Sequence, residues 1–376
     1  MRILIAPNAF KNSLSATDAA EAILQGLKKS ALHFEYECFP IGDGGNGTAE
    51  LIINRNKGKR ISVQVHDPLG REITASFGLI DEGQTAIIEM ADAVGLQFLT
   101  QGELNPLRTT SFGAGEMIRF ALEKGTRKII LGMGGSATVD GGAGILRALG
   151  IRFLNANHEV LPDRPENMTD LVAIDTSGID KRILHCDLTV LCDVDNPLLG
   201  EQGAATIFGP QKGATKESVG KLEASLAKFC EIAFQQTGKD MSSVKYGGTA
   251  GGAAAGLYAF LNAKLVNGID HFLNMTGFDE ALAKTDLVIT GEGSIDEQTL
   301  QGKGPYGVAF RAKKKGLPVI ALAGKVPLKE NKELNKYFDV LLAVGNEPAD
   351  LSTAMQLTFD NLTRTSMALG NLLAVS

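Results

Sequence analysis

The sequence predicts an α/β protein of two units: a doubly wound parallel sheet assembled from both ends of the chain, and a mixed α/β unit inserted between them. Three observations lead there. The chain opens with a β-α-β-α pattern, closely spaced β-rich runs separated by turns follow at residues 60–90, and short apolar strands alternating with helical segments return after residue 285. Strand–helix alternation favours a parallel sheet, whereas turn-separated β runs favour antiparallel or mixed pairing. The length of 376 residues also suits two cores, because single cores stop growing near roughly 250–300 residues.

In order, Arg2–Pro7 reads as a buried strand and Ser15–Lys29 as a helix. Ser15 and Asp18 resemble a capping box, and Ala19, Ala20, Ile23, Leu24 and Leu27 share one apolar face. Phe34–Pro40 is the second strand, followed by the glycine loop Gly42–Gly47 and a helix from Thr48. Arg60–Val65, Glu72–Ile80 and Thr85–Met90 then read as strands, with turns at Asp67–Gly70 and Asp81–Gly83. The strands Asp286–Thr290, Pro318–Ala323 and Phe338–Val344 return the chain to its first unit. The expected units are therefore residues 1–58 with 285–376, and 59–284. Sequential βα units suit a flavodoxin-like sheet, whose ligands sit at the carboxyl ends of its strands. Asn8–Lys11, Gly42–Gly47 and Gly291–Asp296 each follow a strand directly, so all three are expected on that edge.

Composition narrows the function classes. A formal charge of −6 argues against a nucleic-acid binder, which carries a basic patch or stripe. Four cysteines without a CxxC pair and five scattered histidines argue against zinc and for reduced thiols. The apolar run at the start is too short for a signal peptide, and Gly247–Leu261 is too short and interrupted to span a bilayer. A cytoplasmic protein with no nucleic-acid or membrane partner is expected, as monomer or homodimer.

The strongest local signal is Gly132–Gly144, GMGGSATVDGGAG, between an apolar run and a helix-like run. Glycines this dense let a backbone approach a ligand closely and aim its N–H groups at an anion. The segment also fits G-x-G-x-x-A, yet Gly141, Gly142 and Gly144 stop a helix from starting where a dinucleotide fold needs it. No G-x-x-x-x-G-K-[ST] occurs, so phosphate chemistry here needs another scaffold. Asp43, Asp140, Asp193, Asp195, Glu292 and Asp296 all sit in glycine- or proline-containing loops. Phosphoryl transfer uses such carboxylates to hold Mg²⁺ and to take the proton of the attacking hydroxyl. Lys11, Arg71, Lys212, Lys303 and Lys325 are the cations placed beside turn-formers, with Lys11 at the predicted site edge. Gly247–Ala253 reads equally as a second anion nest or as close helix packing.

Taken together the motifs resemble the type I glycerate kinase family. They are APNAFKNSLSA (6–16), PIGDGGNGTAE (40–50), GMGGSATVDGGAG (132–144), LCDVDNPLLG (191–200), FGPQKGA (208–214), GGTAGGAAAGL (247–257) and TGEGSIDEQTLQGKGP (290–305). The resemblance implies ATP-dependent phosphorylation of D-glycerate to 2-phosphoglycerate, with the 3-isomer as alternative, in glyoxylate or sugar-acid breakdown. It also implies the split two-domain architecture drawn above. On this basis Gly134, Gly135 and Ser136, with Gly141 and Gly142, are expected to hold ATP phosphates. Asp193, Glu292 or Asp296 is expected to bind Mg²⁺, Asp193 or Asp43 to act as base, and Lys11 and Arg71 to bind the substrate carboxylate. The competing expectation is a non-catalytic two-domain binder of a small organic acid.

Overall fold

The computed structural model describes residues 1–375. In chain order its strands are β1 (Arg2–Ile5), β2 (Glu35–Cys38), β3 (Lys59–His66), β4 (Glu72–Ile80), β5 (Thr85–Glu89) and β6 (Lys128–Gly132). They continue as β7 (Arg152–Leu154), β8 (Ala173–Asp175), β9 (Asp187–Cys192), β10 (Lys264–Asn267), β11 (Leu287–Ser294), β12 (Val319–Lys325) and β13 (Val340–Ala343). The chain divides into two compact units, Met1–Asp43 with Ile269–Ser376, and Gly44–Gly268.

The first unit is a five-stranded sheet in the order β13-β12-β11-β1-β2, and every neighbouring pair is parallel. Numbered within the unit this is 2-1-3-4-5, the doubly wound flavodoxin-like order. Its switch point falls between β1 and β11, whose register pairs Ile3 with Leu287 and Ile5 with Ile289. Ile3–Ile5 of β1 and Leu287–Ile289 of β11 are continuous apolar runs, as a sheet covered on both faces requires. Ser15 caps the helix Ala16–Lys28 by accepting from the Asp18 N–H, and Ile23 and Leu27 join Ile3, Ile5, Ile289, Leu322 and Leu362 in the core.

The second unit is a mixed sheet of six strands, β10-β9-β6-β5-β4-β3. The β3–β4 and β4–β5 pairs are antiparallel and the rest parallel. β7 and β8 form a separate hairpin-like pair. Phe77, Ile88, Leu131, Phe153, Val190 and Phe229 anchor one core, with Phe229 stacked on Phe260 and edge-on to Phe153.

The units meet the sequence at 43/44 and 268/269, against the expected 58/59 and 284/285. Packing explains both shifts. The helix Thr48–Arg55 seats Ile53 on β4, where a Cβ at Gly78 would stand 2.2 Å from Ile53 Cγ1. At the other crossing, Phe278 packs edge-on against Phe39 of the first unit, with ring centroids 5.2 Å apart.

Candidate active site

In the first unit the loops after β1, β2 and β11 build a carboxylate cluster at the switch point. Asn8 Nδ2 donates to Asp43 Oδ2 at 2.7 Å, and Asn8 Oδ1 accepts from the Ala9 N–H at 2.8 Å. That second bond fixes which end of the amide faces the carboxylate. The Asn8 N–H donates to the Gly291 carbonyl at 2.8 Å, tying the β1 loop to β11, and the Gly304 N–H reaches Asp43 Oδ2 at 3.3 Å. Glu292 is 8% exposed and accepts from Thr299 Oγ1 at 3.0 Å. Burial pushes its carboxyl up to about 7; Asp43 and Asp296 add to the shift, while Lys303 and the Thr299 bond oppose it. Asp296 caps the 3₁₀ turn Glu297–Gln301, accepting from the Gln298 N–H at 2.9 Å. Lys11 is exposed, and its N–H lies 3.6 Å from where a Cβ on Gly293 would stand, which brings the β1 and β11 loops side by side.

In the second unit the glycine-rich loop leaves β6 and enters the helix Ala143–Ala148. Asp140 organises its far half. Asp140 Oδ2 accepts from Ser111 Oγ at 2.6 Å, the Ser111 N–H at 2.9 Å and the Gly144 N–H at 3.2 Å, and Oδ1 accepts from the Gly142 N–H at 3.0 Å. The Gly141 N–H donates to the Gly251 carbonyl at 3.0 Å, and the Gly134 N–H to the Gly44 carbonyl at 3.0 Å. Three of the five residues expected to hold phosphates therefore use their N–H groups inside the fold. Gly141 and Gly142 serve close packing instead, against Phe229 and Ala253. The stretch Gly247–Ala253 has the same role, since a Cβ at Gly251 would lie 2.0 Å from the Thr138 carbonyl oxygen.

What remains of the loop is Gly135–Ser136, and a buried cation stands against it. Lys212 Nζ donates to Ser136 Oγ at 3.1 Å and to the Thr138 carbonyl at 2.8 Å. Burial pushes this ammonium down to about 8, opposed by the charges of Asp140 and Asp193. Asp193 follows β9, whose neighbour β6 launches the loop, with Leu191 opposite Gly132 in the register. The Thr138 hydroxyl is buried without a hydrogen-bond partner among the described residues. Such orphans need an explanation, and a bound ligand is one.

Arg71 is drawn into an ion-pair network, with three of its five N–H donors engaged. Its Nε donates to Asp67 Oδ2 at 2.5 Å, Nη1 to Glu103 Oε1 at 2.7 Å and Nη2 to the Phe98 carbonyl at 2.8 Å, so it ties the β3–β4 turn down. Among the described residues no group of three or more His, Cys, Asp or Glu side chains is placed to cage a metal. Among the described residues no helix is long and apolar enough to cross a membrane. Asn8 and Thr299 were not among the expected site residues, although each lies in one of the sequence blocks quoted above, and Lys212 was a candidate cation without an assigned role.

A glycine-rich strand-to-helix loop with a buried lysine, and a carboxylate cluster at the switch point of a doubly wound sheet, are parts of a small-molecule kinase. Comparison with known proteins agrees. The family model described as the glycerate kinase family matches residues 3–374. A glycerate kinase from Halalkalibacterium halodurans is 45% identical over 86% of this chain and 85% of its own. A glycerate 2-kinase from Escherichia coli K12 is 41% identical over 100% of this chain and 98% of its own. A crystal structure of a candidate glycerate kinase 2 from Salmonella typhimurium LT2 superposes with a TM-score of 0.83 at 40% identity, covering 100% of this chain and 98% of that one. The chain belongs to the glycerate kinase family.

Proposed function

We propose that the protein transfers the γ-phosphoryl group of ATP to the 2-hydroxyl of D-glycerate, giving 2-phosphoglycerate and ADP in the breakdown of glyoxylate or sugar acids. The observation that carries the reading is full-length similarity to a relative named glycerate 2-kinase, joined to the two clusters above. The N–H groups of Gly135 and Ser136 and the Lys212 ammonium receive phosphate oxygens. Lys11 binds the glycerate carboxylate, with Arg71 as the second candidate through its two remaining N–H donors. Asp43 takes the hydroxyl proton as the substrate oxygen bonds to phosphorus, while the bond to the ADP oxygen breaks and ADP leaves with its electron pair. Asn8 and the Gly304 N–H hold Asp43 Oδ2 in place for that transfer, and Asp193 supports the charge of Lys212.

Mg²⁺ suits this donor set. It keeps several waters and binds through one or two carboxylates plus substrate phosphates, so no protein cage is required. Glu292, pushed up by burial with Asp43 and Asp296 adding to the shift, gains most from a cation, and Asp296 or Asp193 is the alternative oxygen donor. When bound by these carboxylates, the ion would supply charge neutralisation to the phosphates.

The test is a coupled assay for ADP release with D-glycerate and Mg²⁺-ATP, followed by phosphorus NMR of the product. Glycerate-dependent ADP release with a 2-phosphoglycerate resonance supports the reading. No release rejects it, and a 3-phosphoglycerate resonance rejects the assigned hydroxyl.

A further inference from the structure

The second unit holds a cavity of about 640 Å³ that neither cluster uses. It lies beside the β3–β4 turn, at the edge where β5 and β6 end. Pro68, Leu69 and Phe112 provide mostly apolar walls, and Glu103, Asp163, Arg108 and Arg164 are among its polar groups. Chain flanking the cavity also touches the glycine-rich loop. Thr109 Oγ1 donates to the Ala137 carbonyl at 2.9 Å, and the Leu96 N–H to the Gly135 carbonyl at 3.0 Å.

We propose that this cavity takes the adenosine part of ATP, so that the nucleotide runs from Phe112 and Leu69 to the loop at Gly135–Ser136. The proposal rests on the kinase reading above for the identity of the nucleotide. Size argues for it, since the volume falls in the range of roughly 300–1,000 Å³ typical of drug-sized ligands, well beyond a three-carbon acid. Wall chemistry argues the same way. Glycerate has almost no apolar surface, whereas a purine has two apolar faces for Phe112 and Leu69 to cover. The cavity's two carboxylates, Glu103 and Asp163, can accept from an exocyclic amine and from ribose hydroxyls, beside the cations Arg108 and Arg164. Glu103 and Asp163 are each held by an arginine, Arg71 and Arg147, and each carboxylate retains lone pairs for such donors. Arg108 is exposed and has no ion-pair partner among the described residues, which leaves its guanidinium for a phosphate oxygen.

The experiment measures Mg²⁺-ATP binding to the full chain by calorimetry, beside glycerate-dependent turnover. Leu69 sits in a turn and is 37% exposed, so Leu69→Trp fills the cavity without disturbing a core. Leu69→Trp is expected to raise the ATP Kd about tenfold or more, as overpacking a cavity does, with the glycerate KM unchanged. Arg108→Ala is expected to weaken ATP about tenfold by loss of a charge-assisted contact, and to weaken inorganic tripolyphosphate as well. Leu69→Trp is expected to leave tripolyphosphate binding unaltered. The proposal is overturned if both variants keep the native ATP Kd within about twofold, if Leu69→Trp weakens tripolyphosphate as much as ATP, or if the native chain does not bind ATP. Native ATP binding weakened by Leu69→Trp, without any glycerate turnover, sustains the cavity assignment and removes glycerate as the acceptor.

Discussion

Lys212 Nζ lies 3.1 Å from Ser136 Oγ in a position only 3% exposed, so the one polar side chain of the Gly134–Ser136 turn is held by a buried cation. A buried ammonium costs stability unless it is used, and phosphate oxygens are the use proposed here. Replacement by a similar apolar side chain separates the two effects. Lys212→Met is expected to lower kcat/KM by about 10² or more, by analogy with removing one transition-state donor, while the melting temperature holds or rises. Native stability should also climb between pH 8 and 10.5. The folded group loses its proton near 8 and the unfolded one near 10.5, so the unfolded state binds more protons across that window. The rise is on the order of 2–3 kcal/mol and should be missing from the Met variant in denaturant titrations at each pH.

Asp43→Asn keeps an oxygen for Asn8 and Gly304 but removes the base. We expect kcat to fall by roughly 10²–10⁴ with the KM for ATP little changed. A kcat within about threefold of native, measured under saturation, assigns the proton to Asp193 instead.

Gly135 has a φ of +74°, and a Cβ added there would stand 2.0 Å from Asn46 Oδ1. Gly135→Ala is expected to cost about 1–3 kcal/mol, from the left-handed backbone and the clash together. Removing the obstructing side chain with Asn46→Ala should restore only the part due to the clash. Urea titrations of both single variants and the double variant give that coupling energy.

Glu89 caps the helix Thr48–Arg55, accepting from the Gly47 N–H at 2.6 Å. Burial pushes its carboxyl up to about 7, with Asp92 adding to the shift, while the Gly47 and Ala49 N–H groups oppose it. The folded state therefore binds more protons than the unfolded state between about pH 4.5 and 7. Its contribution is complete below that window and lost as pH rises through 7. Glu89→Gln should flatten this decline and gain on the order of 2 kcal/mol at pH 8, read from melting temperature against pH.

The doubly wound unit was legible because its strands are short apolar runs between local helix signals, and alternation implies parallel pairing. The loops at its switch point were legible for the same reason. What escaped depends on partners far away in the chain. Helix Thr48–Arg55 looks like the next step of a βα series, but the place for Ile53 is made by Gly78. Arg71 looks like a free cation until Glu103 and the Phe98 carbonyl take its donors. Lys212 looks like a surface lysine in a turn until Ser136 receives it from 76 residues away. The glycines at 141 and 142 read as ligand cradle because density alone does not distinguish an approaching phosphate from an approaching phenyl ring.

The central position of β1 carries a consequence for the order of assembly. Thr290 Oγ1 on β11 donates to the Ala6 carbonyl across 284 residues, and β1 has β11 as one of its two neighbours. During synthesis the segment Gly44–Gly268 is complete before β11 exists, while β1 and β2 wait with an open, apolar edge. At roughly 5–20 residues per second, that wait lasts tens of seconds on the ribosome. Asn8 and Asp43 consequently join Glu292 only when the last third of the chain has emerged. An unfinished chain can own a folded glycine-rich loop, but it cannot own a carboxylate cluster.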